Sequence, residues 1–455
     1  MHLTAPAPDP LANGALSTNL FEHLPETGSL AVAVSGGSDS LALLYLLAAW
    51  AEHRATTLFC ITVDHGLRKA AIEEAAYVKL VCDGLGISHT VLTWKGEKPV
   101  SGLSEAARKA RYQLMAAFCT RYHIDDLVLG HQQDDQVETV LMRLARSKGD
   151  SRGLSGMAAR SCFRRPSDDD LILHRPLLDV PREKLRDYLR RCQVSWMDDP
   201  TNDDQRYERV RRRHVLRSKP ALGRDVVHYA DLMRRYRRVL AWNAATFIRA
   251  HVERTPFAAV MINRRALQYE PRPVAILVLQ ALLSVVGGRD HLPSNGRVEA
   301  LLSLKGATTL ARVLVQPGDD TLTLTREVRN LPGVVPLSQT PIKWDGRYWI
   351  TAFGTSGEVV CGQELTAAER MYLQTGDCAP SGAMDKKAFA SLPFLRIGSG
   401  PECRIEALWT ASNLQMPTMI MPVLGSFDTY SPDCDEPLRD VLQNLFTKPV
   451  HFDDT

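Results

Sequence analysis

Short apolar runs at residues 30–34, 58–63, 90–94 and 127–129 alternate with longer stretches whose apolar residues recur at helical spacing, as far as about residue 146. That alternation predicts strand–helix–strand units and a parallel sheet covered on both faces. In "SEAARKARYQLMAAFCTRY", Ala107, Ala110, Leu114, Ala117 and Phe118 fall along one side, which predicts a helix packed by that side with its polar face free for chemistry. Open sheets of this kind bind ligands beyond the carboxyl ends of their strands. Residues 35–40, Asp64 and His65, and residues 131–135 lie there. Further along, helices bounded by proline are predicted at 182–191 and roughly 226–254, within a mostly helical region reaching about 306. From 308 onward the texture changes to short β-like runs, "TTLARVLVQ", "DTLTLTREV" and "KWDGRYWITA", with turn residues between them. The expected organisation is a doubly wound parallel α/β domain over 1–220, a helical domain over 221–306 and a small β-rich domain over 307–455.

Composition narrows the class. With 455 residues and 45% hydrophobic content, the chain can bury two or three cores. Its longest apolar runs, 41–50 and 274–286, fall short of the roughly 20 residues that span a bilayer, so they predict core segments and no membrane partner. Residues 1–30 lack a basic start, an apolar middle and a small-residue cleavage site, so no secretory signal is expected and a cytoplasmic location is. Nine cysteines without a CxxC pair suggest neither a disulfide frame nor a zinc site. A net charge of +3 gives a weak overall field, so a polyanionic partner has to be met by local clusters. Arg206, Arg209, Arg211, Arg212, Arg213, Arg217 and Lys219 form one, followed by Arg234, Arg235, Arg237 and Arg238. These fit a nucleic-acid surface or a solvated helix face balanced by Asp203, Asp204 and Glu208. Tyr207 and Trp196 fit base stacking or buried anchors equally well.

The stretch "AVAVSGGSDSLALLYLL", residues 31–47, runs an apolar strand through a polar hairpin into an apolar helix. Backbone N–H groups at such a junction hold phosphate oxygens, and glycines let the backbone come close. Gly36 and Gly37 would shape the turn, while Ser35, Ser38 and Ser40 bring hydroxyls and N-cap capacity. A lysine-bearing GxxxxGK[ST] string is absent from the chain, which disfavours γ-phosphoryl transfer. The bland alternative is a tight turn capped by serine or aspartate.

"LGHQQDDQVET" puts His131 at a strand end and Asp134, Asp135 and Glu138 in the first turns of the next helix. Carboxylates gain there from the helix dipole. Residues three and four apart share one surface, however, so these carboxylates repel one another. Beside a polyphosphate they call for Mg²⁺, an ammonium substrate, or both.

"SGGSDS", "DHGLR", "SEAARKARY", "LGHQQDDQVET", "RGLSGM", "HRPLLDV" and "WMDDPTNDDQRYER" occur in an order that resembles the bacterial tRNA(Ile)-lysidine synthetases, densely over the first half of the chain. "ATTLARVLV" and the remainder are similar to the C-terminal domains of that family. The resemblance implies an adenine nucleotide alpha hydrolase-like fold with a PP-loop, an enzyme that splits ATP between its α and β phosphates. It implies ATP and Mg²⁺ as cofactors, and L-lysine and a CAU-anticodon tRNA(Ile) as partners, with a homodimer left open. The reaction implied is adenylation of the wobble cytidine followed by displacement of AMP by the lysine ε-amine.

Carried over by position, the resemblance gives the ATP phosphates to Ser35, Gly36, Gly37, Ser38, Asp39 and Ser40, with Asp64 and His65 beside the nucleotide. Magnesium falls to Asp39 and Asp134, and the lysine ammonium to Asp135 and Glu138. Arg111 would stabilise charge at the α-phosphorus, with Arg108 nearby, or both lie simply on solvated helix surface. His131 and Asp135 are equal candidates for the base that takes the amine proton. Arg209 would reach the active site from outside the sheet or contact phosphate only. Arg206, Arg211, Arg212, Arg213, Arg234 and Arg238 would hold the RNA backbone, with salt-dependent affinity. An unstacked anticodon base is the cheaper target for such chemistry.

The chain departs from the family pattern at Gln132, in place of a second histidine, at Val210, in place of an asparagine, and at an insertion-like "SKGDS". Two rivals stand beside this reading: a tRNA cytidine 2-thiolating enzyme, which calls for paired cysteines, and a non-catalytic nucleotide- or RNA-binding module, which has no use for repelling carboxylates.

Overall fold

The structure, a computed structural model, describes residues 19–67, 70–146, 151–165, 170–197, 220–255, 258–352, 357–375, 386–398, 404–407, 418–428 and 431–447. The chain divides into two compact units, Met1–Tyr236 and Arg237–Thr455.

In the first unit the four strands read from the alternation are β1 (Thr27–Ala33), β2 (Ala55–Asp64), β3 (Ser88–Thr93) and β4 (Asp126–Leu129). Helices α1 (Ser38–Ala51), α2 (Ala70–Leu85) and α3 (Leu103–Arg121) join them, and α4 (Gln133–Arg146) follows. An antiparallel pair, β5 (Arg160–Arg164) and β6 (Asp170–His174), then leads to α5 (Arg182–Arg191), whose bounds are those expected. These six strands lie in the order β5-β6-β4-β1-β2-β3, parallel except for β5. In register, Leu30 faces Leu58 on one side and Asp126 on the other. Because β1 connects to β2 on one flank while β4 lies on the other, the order reverses between β1 and β4, and that crevice is where such sheets take ligands.

Helix α1 is apolar all round, and ten of its fourteen residues are buried, including Leu41, Leu43, Leu44 and Leu47. A helix of that kind belongs in the middle of a core, each fully buried leucine contributing roughly 1.5–3 kcal/mol. The consequence for function is that α1 has no free polar face, and it meets ligands through its first turn. In α3 the buried stripe is Ala110, Tyr112, Met115, Ala116, Phe118 and Cys119. The expected stripe is therefore rotated: Ala117 is exposed, and Ala107 and Leu114 are half-buried. Alanines on both sides of the helix made the apolar pattern indifferent to this rotation, and Tyr112 set it.

The long helix Pro220–His251 begins at Pro220 rather than at about 226, with the proline in a first turn that needs no N–H from it. The segment expected to be mostly helical up to about 306 also supplies two strands, Val252–Arg254 and Val260–Asn263. Three and four residues long, they are too short for alternation to show in the sequence. They pair with Thr321–Arg326, Val313–Pro317 and Thr308–Leu310 in one five-stranded antiparallel sheet. The buried helix Arg272–Val286 packs into the core of that sheet. Two smaller antiparallel sheets follow. Among the described residues, no helix is long and apolar enough to cross a membrane.

Candidate active site

The loop after β1 is built around backbone rather than side-chain capping. Gly36 has φ +87°, a left-handed conformation that favours glycine, and Gly37 is the extended N-cap of α1 with no side-chain cap. Ser40 instead folds the loop on itself: its hydroxyl donates to the Gly37 carbonyl at 3.0 Å and accepts from the Ser35 N–H at 3.1 Å. Ser38 donates to Asp39 Oδ1 at 3.1 Å. The uncapped N–H groups of a helix start suit an anion, so residues 35–40 fit the polyphosphate of ATP. The Met197 N–H donates to the Gly36 carbonyl at 3.0 Å, fastening the segment after α5 to this loop.

The end of β4 comes against the same turn. A β-carbon on Gly130 would lie 3.1 Å from Ser40 Cα and 3.3 Å from Ser40 N, so a glycine is what lets the end of β4 approach the first turn of α1. Beyond it, Gln132 organises the start of α4. Its Oε1 accepts from the Asp134 N–H, and its own N–H donates to Asp135 Oδ2 at 3.3 Å. The Gln133 N–H donates to the Val180 carbonyl at 3.0 Å, which ties the segment preceding α5 to the start of α4.

That stitching brings Arg182, at the first position of α5, into the acidic cluster. Its Nε and Nη2 each lie 3.1 Å from Asp39 Oδ2, and Nη2 is 3.8 Å from Asp135 Oδ1. The Arg182 backbone N–H donates to Asp134 Oδ1 at 3.5 Å. Burial works against the charge of Arg182, but Asp39, Asp135 and Asp134 outweigh it and hold its pKa above the ordinary arginine value. The acids predicted for metal and lysine, Asp39, Asp134 and Asp135, are thus brought together. Glu138, one turn further along α4, is fully buried. His131 stands half-buried in the link between Gly130 and α4.

Oxygen donors of this kind suit a hard cation such as Mg²⁺, which takes one or two carboxylates and completes its shell with phosphate oxygens and water. Among the described residues, no three His, Cys, Asp or Glu side chains form a ready-made metal cage. Asp39 and Asp134 therefore fit Mg²⁺ as a partial shell to which ATP would add the rest.

Asp64 ends β2 with its Oδ1 accepting from the Gly66 N–H at 2.8 Å, and the ring of His65 meets Trp94 edge-on at 6.1 Å. Thr62 donates to the Val34 carbonyl at 2.8 Å, which sets this strand end beside the phosphate loop.

Arg111 belongs to a second charge group. Arg108 and Arg111 lie 5.2 and 5.9 Å from the ring of the buried Tyr112. The buried Arg175 completes the group, donating to the Ala158 carbonyl and Ser161 Oγ at 2.9 Å each. Burial pushes the Tyr112 phenol up, and Arg175, Arg108 and Arg111 together bring it below its ordinary value. Arg111 is half-buried, not solvated surface. "RGLSGM" is pinned to α4, where Gln136 exchanges hydrogen bonds with Met157 at 2.6 and 2.7 Å and Arg143 donates to the Gly153 carbonyl at 3.0 Å. A cleft of about 450 Å³ runs along this part of α4, bordered by Gln133, Gln136, Asp179, Arg224, His228 and Arg234.

Arg206, Arg209, Arg211, Arg212 and Arg213 lie outside the described residues. Arg234 pairs with Asp231 at 3.3 Å and Arg238 with Asp433 at 2.9 Å, so part of the charge assigned to RNA is already met by carboxylates. Trp196 packs against the core with Arg186 and Arg190 over its ring at 5.6 and 5.9 Å, which makes it an anchor.

The sequence reading missed Arg182 and Gly130, and it noted Gln132 only as a departure from the family pattern. Arg182 had a signal: three clustered carboxylates need a cation, and an arginine directly follows "HRPLLDVP".

Residues 15–219 match the family described as a PP-loop domain. A tRNA(Ile)-lysidine synthase of Mesorhizobium japonicum is 36% identical over 456 residues, covering 96% of this chain and 96% of its own length. The tRNA(Ile)-lysidine synthase of Ruegeria pomeroyi is 36% identical over 74% of this chain and 79% of its own, and that of Rhizobium meliloti 30% identical over 92% and 93%. Similarity of that extent, running through both units as well as the phosphate loop, makes the chain a member of the tRNA(Ile)-lysidine synthase family.

Proposed function

We propose that the chain joins L-lysine to carbon 2 of the wobble cytidine, position 34, of CAU-anticodon tRNA(Ile), with ATP cleaved to AMP and pyrophosphate. The observation that carries this is the meeting, at one sheet crevice, of an uncapped helix start with Asp39, Asp134 and Asp135. An anion cradle and a cation trap side by side are what a reaction between a polyphosphate and an ammonium-bearing amino acid needs.

In the first step the cytidine O2 attacks the α-phosphorus, a P–O bond forms, and pyrophosphate leaves. Residues 35–40 hold the phosphates, Asp64 and His65 flank the nucleotide, and Arg111 meets the charge that grows on the α-phosphoryl group. Asp39 and Asp134 would hold Mg²⁺, which would supply positive charge against the phosphates. In the second step the lysine ε-nitrogen bonds to carbon 2 and AMP leaves with the original O2. Asp135 and Glu138 receive the ammonium, and His131 or Asp135 takes the proton that must leave before nitrogen can attack. Residues 1–220 carry this chemistry, and 221–306 and 307–455 hold the tRNA, together with Arg206, Arg211, Arg212, Arg213, Arg234 and Arg238. Arg209 is assigned a role at the reacting groups by the family resemblance alone. Such a tRNA places the reaction in the cytoplasm.

The test supplies purified protein with ATP, labelled lysine and tRNA transcripts carrying CAU or altered anticodons. Label is expected in the CAU isoleucine transcript alone, and Asp39→Ala and Asp135→Ala should each abolish it in a folded protein. Wild-type incorporation in either variant would mean the site lies elsewhere.

A further inference from the structure

Between the phosphate loop and α4, Asp39, Asp134 and Asp135 gather around Arg182. Arg182 is 17% exposed, Asp39 18% and Asp135 16%, so these charges are largely withdrawn from water. The side chain of Arg182 reaches Asp39 and Asp135, while its backbone N–H holds Asp134. The residue therefore touches all three acids from one position at the start of α5. A cation entering this cluster has to share the same oxygens with a positive charge that is already there and fixed to the chain.

An arginine is also suited to leave one anion for another. Its planar fork binds carboxylate and phosphate with the same geometry, and Asp39 sits in the first turn of α1, where the phosphates of ATP would arrive. We propose that Arg182 is a positioning residue that serves as the resident counter-cation of the acidic cluster. With the nucleotide absent it gathers Asp39 and Asp135 and weakens the binding of any other cation. When phosphates bind, its fork turns to them and the carboxylates become available to divalent metal and to the lysine ammonium. The order of binding is then built into one side chain, with ATP first and the cationic ligands after. The inference rests on the reading of Asp39, Asp134 and Asp135 as the cation-binding acids.

Direct binding tests it. Mn²⁺, followed by its electron paramagnetic resonance, is titrated into nucleotide-free wild type, Arg182→Gln, Arg182→Lys and Asp39→Asn. Removing a neighbouring positive charge should tighten Mn²⁺ binding by about tenfold in Arg182→Gln, while Arg182→Lys, which keeps the charge, stays within about threefold of wild type. In the lysine-ligation assay, Arg182→Lys should recover part of the kcat lost in Arg182→Gln, because it restores the charge without the fork. A folded Arg182→Gln protein that binds Mn²⁺ no more tightly than wild type overturns the role of Arg182 and leaves the reading of the acids standing. Mn²⁺ binding unaffected by Asp39→Asn, both without nucleotide and with a non-hydrolysable ATP analogue, overturns both. A second measurement needs no variant: equilibrium dialysis of labelled lysine against wild type should show tighter binding with the ATP analogue than without it. Equal affinity in the two conditions also overturns the inference.

Discussion

At Gly130 the end of β4 comes so close to the first turn of α1 that a β-carbon would press on the backbone of Ser40 at 3.1–3.3 Å. Gly130→Ala must therefore shift the first turn of α1 or the end of β4, an overpacking on the order of 1–3 kcal/mol. If that turn cradles the phosphates as proposed, the variant should raise KM for ATP several-fold while its far-ultraviolet circular dichroism stays that of the wild type. A folded variant with unchanged KM for ATP would separate this contact from nucleotide binding. At this scale the sequence was informative about Asp39, Asp134 and Asp135, since glycine-serine loops and carboxylates at helix starts carry local signatures. Arg182 was not legible in the same way. It lies 143 positions from Asp39, and tertiary contacts bring them together: the packing of α5 against α1, the tie from the segment before α5 to α4 and the Met197–Gly36 hydrogen bond.

The helix Ala367–Thr375 shows how one element is held at its start. The Thr366 N–H donates to Glu369 Oε2 at 2.6 Å and the Glu369 N–H to Thr366 Oγ1 at 3.2 Å, a reciprocal capping box. Arg396, on the strand Pro393–Ile397, adds a forked pair to the same carboxylate at 2.8 and 3.2 Å. Burial alone would push the Glu369 carboxyl up, but Arg396 and Thr366 outweigh it and hold it below its ordinary value. With the folded pKa below the unfolded one, the stabilisation is present above the unfolded value of about 4.3 and is lost as pH falls through the folded value. Glu369→Gln should accordingly lower the thermal stability at pH 7, with the gap to wild type closing below about pH 4. A gap that persists unchanged in acid would assign the effect to packing instead. Elements of this kind were legible where the apolar period was strong, as in β1 to β4 and in α5. They were misread where small residues blur it, as at Ala107 and Ala117 of α3, or where strands are only three or four residues long.

Across the second unit, cohesion runs through one buried carboxylate. Asp345 accepts from Arg326 at 2.8 and 3.0 Å, from Arg347 at 2.6 Å and from Arg312. It thereby joins the five-stranded sheet to the turn between Ile342–Trp344 and Tyr348–Ala352. Burial, and the nearby Arg312 and Arg347, press the Arg326 pKa below its usual value, so that guanidinium depends on Asp345. Asp345→Ala would strand buried positive charge at about 3–5 kcal/mol, which for a unit of this size lowers Tm by roughly 10 °C. A thermal melt within a degree or two of wild type would show that the arginines find other partners. None of this was readable beforehand, because three arginines and an aspartate scattered through β-like runs carry no periodic signal.

One last consequence follows from Gln132, which stands where the family pattern that the sequence resembles has a second histidine. An imidazole there would gain a proton near pH 6.5 and give up its role as acceptor for the Asp134 amide. A carboxamide has no proton to gain over that range. The hydrogen bond from the Asp134 amide to the Gln132 carboxamide is therefore kept in mildly acid medium, where the acceptor that an imidazole would offer is lost.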